Sequence, residues 1–383
     1  MNAEWWREEL EARREAGLHR RLGVLPAGVL DFSSNDYLGL SRHPEVVKAA
    51  INATREFGAG ARASRLVSGH FEIHAQLESE LAAFKKCAAA LVFPSGYHAN
   101  LAVVTSLSRR GDTIFCDKRN HASLIDACFL ASARGAKMRF YDSPEKLQTL
   151  LVKCGKSCSA PANFVIVSDA VFSMDGDIAP LPELINLAEA FDATLILDDA
   201  HGTGVLGATG RGALEHFGQS SIVNRQSSIV QVGTLSKALG AQGGFVVGDE
   251  ILIEWLINAA RSFIYTTGLN PAACGAARAS LQIIEREPQR IKRPREVKEK
   301  LARGLTELGF DAREQPTPIL PVVIGDAKSA VALSEKLLAQ NIWCPAIRPP
   351  TVPKNSSRLR VTANADLSED DISRVLNAFK KCR

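Results

Sequence analysis

Two stretches of this sequence end an apolar run on side chains that are costly to take out of water unless chemistry needs them there. TLILDDAHGTG (194–204) sets Asp198, Asp199 and His201 where the run stops, two carboxylates beside an imidazole. IVQVGTLSKALGAQGG (229–244) does the same with Lys237, preceded by Thr234 and Ser236 and followed by glycines that keep bulk away. A lysine in a desolvated place gives up its proton more readily and can attack a carbonyl to form a Schiff base. In a third stretch, LVFPSGYHAN (91–100), an apolar run turns into a helical pattern at Gly96 and Tyr97. The free N–H groups and dipole of a helix start make an anion site, so a phosphate fits there. His121 follows a fourth run in CDKRNHASL (116–124), and Ser173 a fifth in SDAVFSMDGD (168–177). Each has a bland reading on its own: an Asp capping a turn, an exposed lysine, a serine opening a helix.

The elements that must position these residues read as an α/β fold. Between about 75 and 275, β-branched runs at 89–93, 113–116, 138–141, 164–168, 194–198 and 229–233 alternate with helical segments at 73–86, from 97, 121–133, 144–152 and 181–191. That alternation predicts a mainly parallel sheet with helices on both faces, and ligands then bind beyond the carboxyl ends of the strands. All five polar clusters fall at such ends. A lysine for an aldehyde, an acid to keep a ring nitrogen protonated and a helix start for a phosphate are the needs of pyridoxal 5′-phosphate. Upstream, residues 4–22 carry a helical charge pattern, and a Pro44-led helix runs to about Phe57. Downstream, strands at 319–324, 342–344 and 359–362 with helices at 329–340 and 368–380 form a smaller α+β domain. The expected division is an N-terminal arm (1–45), a large cofactor-binding domain (46–280) and a small C-terminal domain (281–383). The charged stretch 286–300, with seven basic and three acidic residues, reads as a solvated connection.

Composition removes other classes. The 383 residues carry 46 Lys and Arg against 42 Asp and Glu, a net charge of +4, with 46% hydrophobic residues. These are globular values, and interspersed charge of this size predicts no nucleic-acid surface. The eight cysteines are scattered, as in a reduced protein, and offer neither a disulfide framework nor a metal motif. The charged N-terminus is no signal peptide and no run is long enough to span a membrane, so a cytoplasmic protein is expected. Gly58-x-Gly60-x-x-Ala63 follows a helix, and Gly202-x-Gly204-x-x-Gly207 lacks the helix and the acidic residue that a dinucleotide site needs. His70 and His74, with Glu72 between them, are not in the zinc-protease order, so ordinary polar contacts are expected and no metal.

At these residues the chain closely resembles the α-oxoamine synthases, fold-type I pyridoxal phosphate enzymes that condense an amino acid with an acyl thioester. The matching stretches are FSSNDYLGL (32–40), SRLVSGH (64–70), FPSGYHAN (93–100), NHASL (120–124), VFSMDGD (171–177), DDAHGTG (198–204), GTLSKALG (233–240), IRPPTVP (347–353) and RLRVT (358–362). They span nearly the whole chain. IRPPTVP is similar to the member that joins L-alanine to a pimeloyl thioester, carried by coenzyme A or acyl carrier protein, in the biotin pathway. The resemblance implies that Lys237 binds the cofactor aldehyde, Asp198 pairs with the ring nitrogen and His121 stacks on the ring. It assigns His201 and Ser173 to the phenolic oxygen, and Gly96, Tyr97 and Thr234 to the phosphate, with Thr267 contributed across a homodimer. Arg360 would hold the amino-acid carboxylate with Asn35 nearby, and Arg20, Arg348 and Thr351 would lie on the acyl side. One departure stands out: Arg62 and Ala63 occupy positions where many members have glycines. Alternatives are a glycine-using member such as 2-amino-3-ketobutyrate ligase, or a pyridoxal phosphate lyase or aminotransferase; a cofactor-free scaffold protein is the non-enzyme reading.

Overall fold

The computed structural model describes residues 3–16, 18–20, 22–157, 163–218 and 229–383. Cys158, counted above among the scattered thiols, lies outside them; the other seven cysteines are free. The chain divides into two compact units, one of Asn35–Ser173 and Asp177–Pro294, the other of Met1–Ser34, Met174–Gly176 and Arg295–Arg383.

The larger unit is built on a seven-stranded sheet in the order Ala89–Phe93, Gly244–Gly248, Ile229–Thr234, Ala193–Asp198, Phe164–Asp169, Thr113–Asp117, Lys137–Tyr141. Gly244–Gly248 runs antiparallel to both its neighbours, and the other paired strands are parallel. The period-2 alternation of each strand divides its side chains between two cores. Ile114, Cys116, Val165, Val167 and Ile196 enter one, with the helices Gly96–Leu107 and Ala122–Ala133. Phe115, Phe164, Ile166, Leu195 and Leu197 enter the other, with the helices Pro144–Ser157 and Leu181–Ala190. Burial on both faces is why these strands read as unbroken apolar runs, and each fully buried Val, Leu, Ile or Phe contributes roughly 1.5–3 kcal/mol.

The six strands expected from sequence are present, five of them one residue longer at one end. The expectation omitted Gly244–Gly248, a five-residue GFVVG bounded by glycines, and the helices Glu250–Ala259 and Pro271–Arg286. It also took 286–300 as a connection, whereas most of it belongs to the helix Pro288–Glu307, which contains Pro294. Ile291, Val297 and Leu301 of this helix are buried, and apolar anchors of that kind hold a charged sequence helical. The boundary between the units falls at this internal proline.

In the smaller unit the antiparallel order is Ala346–Ile347, Ser357–Thr362, Ile319–Gly325, Asp311–Ala312. The helices Ala327–Leu338 and Glu369–Cys382 contribute to its core through Leu333, Leu337, Val375 and Phe379. Ile342–Trp343 does not join that sheet; it pairs in parallel with Leu30–Asp31 of the N-terminal arm. The first helix is Ala3–Glu15, shorter than expected and without a buried residue. Among the described residues no helix is long and apolar enough to cross a membrane.

Candidate active site

Parallel pairing brings the carboxyl ends of the strands to one edge, and register decides which residues meet there. Asp169 and Asp198 are partners on adjacent strands, and Thr234 and Phe93 both lie opposite Gly244. The antiparallel strand absent from the sequence reading is therefore the piece that joins the Phe93 end, with its following helix, to the Thr234 end. A Cβ on Gly244 would come within 2.5 Å of the Gly96 nitrogen, so only glycine permits this approach.

Lys237 is half-buried, and its Nζ lies 3.0 Å from Nε2 of His201. His201 Nδ1 lies 2.6 Å from the hydroxyl of Tyr37, which is fully buried. Asp198 is held at both oxygens: Asn100 Nδ2 donates to Oδ2 at 2.7 Å and the Ala200 amide to Oδ1 at 2.9 Å. Asn100 also donates to Ser123 Oγ at 2.8 Å, and Ser123 Oγ lies 2.8 Å from His121 Nδ1. His121 is the N-cap of its helix, and its backbone N–H donates to Asp169 Oδ2 at 2.6 Å. His121 is exposed as a residue, yet desolvation by the protein around its ring pushes its pKa below the usual value. Asp198 opposes that shift and the Lys237 charge adds to it. Burial, and then the charge of Asp198, push the Asp169 carboxyl well above the usual carboxylate range.

The helix start expected at 95–97 is present. Ser95 caps the helix Gly96–Leu107, accepting from the His98 amide, and the first amides of a helix have no intrahelical acceptor. The bare Cα of Gly96 faces Thr234: a Cβ there would lie 3.7 Å from Thr234 Cβ and 3.8 Å from its hydroxyl. Thr234 Oγ1 in turn lies 2.7 Å from Ser236 Oγ. Amides, two hydroxyls and a cleared backbone make a cradle that suits a phosphate, and with Lys237, His201 and Asp198 at the same sheet edge the donor set fits pyridoxal phosphate. The Tyr97 side chain goes elsewhere, donating to Asp126 Oδ2 at 2.6 Å.

Asp199, which the sequence placed beside Asp198 as a second candidate carboxylate, has a structural task. Lys85 Nζ donates to its Oδ2 at 2.8 Å and also to Thr203 Oγ1 and the Arg211 carbonyl, while the Ala213 amide donates to Oδ1. A Cβ on Gly202 would meet Asp199 Oδ1 at 2.1 Å, and one on Gly212 would meet Oδ2 at 1.7 Å. The glycines after 201 thus make room for a buried ion pair. His70 Nδ1 accepts from Arg65 Nε at 3.0 Å, and His74 is held by the Phe71 amide and the Leu269 carbonyl, the ordinary polar contacts expected of the pair.

Tyr37, Asn100, Ser123 and Asp169 were not singled out from sequence. Asn100 sits one helical turn beyond Gly96, so the spacing of a helix opening at the anion site could have found it. Asn35 joins the cluster through Tyr37, whose hydroxyl lies 3.3 Å from Asn35 Oδ1. Ser173 is half-buried in the loop closed by the Val171 to Ile178 bridge, and Thr267 is exposed between two helices of the same unit. Arg360 belongs to the smaller unit, buried in its central strand, with Nη1 donating to Thr362 Oγ1 at 3.0 Å. Arg20, Arg348 and Thr351 come together there with Arg13 and His19 around a cavity of about 540 Å3.

A family model described as aminotransferase class I and II matches residues 27–379. The chain is similar to the 8-amino-7-oxononanoate synthase of Thioalkalivibrio sulfidiphilus, 45% identical over 97% of this chain and 96% of that protein. Among solved structures it is similar to a serine palmitoyltransferase variant from S. paucimobilis with a bound PLP–myriocin aldimine. That structure has a TM-score of 0.88 at 27% identity, covering 99% of this chain and 97% of the other. The 8-amino-7-oxononanoate synthase of Francisella tularensis has a TM-score of 0.74 at 29% identity, covering 93% and 98%. With its mainly parallel sheet and the site at the strand ends, the architecture is fold type I. The chain belongs to the aminotransferase class I and II family, in the α-oxoamine synthase branch that holds the 8-amino-7-oxononanoate synthases.

Proposed function

We propose that this enzyme condenses L-alanine with a pimeloyl thioester, releasing carbon dioxide and free thiol and forming 8-amino-7-oxononanoate for biotin synthesis. The observation that carries the reading is the Lys237–His201 contact beside the doubly held Asp198, in a chain 45% identical to a synthase of that name. In balance, the bond from alanine Cα to the acyl carbonyl carbon forms as the C–S bond breaks and the thiolate takes a proton. The Cα–carboxylate bond then breaks, and a proton replaces the lost carbon dioxide.

Pyridoxal phosphate, when bound, supplies an aldehyde for the amino group and a ring that accepts electron density from the Cα bonds. Lys237 would hold its aldehyde, and its Nζ, 3.0 Å from His201 Nε2 in this structure, would serve as the base for the alanine Cα proton. Asp198 keeps the ring nitrogen protonated, and the Asn100 and Ala200 contacts fix the direction of its carboxylate. The Gly96 and Tyr97 amides with Thr234 would take the phosphate, and His121 would stack on the cofactor ring. Ser173 joins His201 at the phenolic oxygen, and Thr267 serves the phosphate of a partner copy, so the reading includes a homodimer. Arg360 is assigned to the amino-acid carboxylate, which a guanidinium can bind in bidentate fashion. Arg20, Arg348 and Thr351 form the acyl side, where cationic groups suit the free carboxylate of the pimeloyl chain or the phosphates of its carrier.

The test is to mix the purified protein with pyridoxal phosphate, L-alanine and pimeloyl-CoA, titrating thiol and identifying the amino ketone by mass. Thiol and product in equal amounts, with alanine preferred over glycine, support the reading. Cofactor absorbance without thiol release sends the assignment to a lyase or aminotransferase.

A further inference from the structure

The cavity of about 540 Å3 in the smaller unit is lined by more than Arg20, Arg348 and Thr351. The helix Ala3–Glu15 brings Leu10 and Arg13 to it, three residues apart and so on one helical face. Past the helix the chain turns back on its own end, where the Leu18 and His19 amides both donate to the Arg13 carbonyl, at 2.8 and 3.0 Å. That turn places Leu18 and His19 in the lining too. Downstream, the lining is the edge strand Ala346–Ile347, paired with Leu359 and Arg358, and the turn after it, where the Thr351 amide donates to the Arg348 carbonyl at 3.0 Å.

Three guanidiniums, of Arg13, Arg20 and Arg348, and the His19 imidazole share this lining, with no carboxylate among its described residues. The helix is rich in glutamate, yet none of its acids lines the cavity, and Glu11 pairs with Arg14 at 2.6 Å. Like charges gathered in this way repel one another, so an anion among them is favoured. The rest of the lining is largely apolar, through Leu10, Leu18, Ile347 and the two prolines. A phosphate alone is compact and strongly hydrated and gains nothing from such a wall. A carboxylate at the end of a methylene chain uses both parts, the guanidiniums for its oxygens and the apolar side chains for its CH2 groups. The volume falls among the pockets of about 300–1,000 Å3 that take small molecules.

We propose that this cavity recognises the free end of the acyl chain, and that Arg13 of the N-terminal helix is a specificity-determining residue there. Arg13 binds the terminal carboxylate together with His19, Arg20 and Arg348, and Leu10, Leu18 and Ile347 take the methylenes next to it. The assignment rests on the reading of the acyl donor as a pimeloyl thioester and narrows it: the cations serve the chain and not the phosphates of its carrier.

The experiment compares pimeloyl-CoA with heptanoyl-CoA, which has the same chain length and carrier and lacks the terminal carboxylate. The holoenzyme should prefer the pimeloyl donor in kcat/KM, and in Arg13→Ala that preference should fall about tenfold, with the KM for L-alanine unchanged. Arg13→Lys keeps the charge and should retain most of the preference. Arg13 is exposed, so neither variant disturbs the fold, which an unchanged melting temperature checks. An equal loss with both donors places Arg13 on the carrier and overturns the proposal, as does an undiminished preference. A second arm is independent of turnover: the full chain without cofactor is titrated calorimetrically with monomethyl heptanedioate, dimethyl heptanedioate and adenosine 3′,5′-bisphosphate. The monoester should bind, the uncharged diester about tenfold more weakly, and Arg13→Ala should weaken the monoester by about the same factor. Binding of the bisphosphate alone overturns the proposal. Should the monoester bind as stated while pimeloyl-CoA and L-alanine release no thiol, the functional reading falls and the carboxylate site stands.

Discussion

Asp169 and Asp198 face each other across adjacent parallel strands, both buried, yet their surroundings differ. Asp198 takes a side-chain amide and a backbone amide, one on each oxygen. Asp169 accepts the His121 amide and has its carboxyl pushed well above the usual range, by burial first and the Asp198 charge second. Of the two carboxyls, Asp169 is the one its surroundings steer toward holding a proton.

A carboxyl with a folded pKa above its unfolded value binds a proton that the unfolded chain has lost. Its stabilising contribution is complete at acid pH and declines as pH rises through the interval between the two values. Asp169→Asn keeps the acceptor for the His121 amide and removes the titration. Denaturant unfolding at pH 5 and pH 8 should show the parent losing more stability over that span than Asp169→Asn.

His74 gives a slope of the opposite sign. Burial, the largest cause, lowers its pKa from 6.5 to about 4, although its hydrogen bond to the Leu269 carbonyl opposes this. The unfolded chain gains a proton before the folded one, so stability is full above pH 6.5 and is lost as pH falls to about 4. The expected loss is on the order of 3 kcal/mol. Unfolding curves at pH 7 and pH 4.5 should reveal it, and His74→Gln should flatten the difference.

Lys85 and Asp199 form an ion pair whose side chains are 0% and 1% exposed. Removing one partner leaves a buried charge without compensation, so Lys85→Met should cost about 3–5 kcal/mol. Adding Asp199→Asn should restore part of that. If the single variant has the parent's denaturation midpoint, the pair does not hold the 199–213 loop.

Lys237→Ala should remove the visible absorbance of cofactor bound through that amine and lower kcat by more than about a thousandfold, since the variant loses both the attachment and the base. Its melting temperature should stay near the parent's, because Lys237 is only half-buried. Retained absorbance and turnover would exclude Lys237 from its assigned role.

The five clusters were legible because a parallel sheet collects the carboxyl ends of its strands, so polar residues that close apolar runs mark the edge of a site before any contact is known. The departure at Arg62 is explained locally. Its φ is 67°, a left-handed conformation that favours glycine, and its guanidinium lies over the Phe71 ring at 4.8 Å. Less legible were the residues that complete the cluster. Tyr37 lies 164 residues from His201 and Asn100 lies 98 from Asp198, and no local period links such positions.

By itself the sequence determined the layered α/β architecture, the edge where chemistry collects and the kind of cofactor its residue types suit, since all three follow from periodicity and side-chain chemistry. Tertiary structure decided that Asp198 and Asp199, adjacent in sequence, do different work, because successive residues leaving a strand take different directions and one meets Lys85. It also decided that Tyr37 backs His201 and that an unforeseen antiparallel strand joins the Phe93 end, with the helix opening at Gly96, to Thr234. Those outcomes depend on strand register and on which distant chain segments pack together, and neither is encoded within any single stretch.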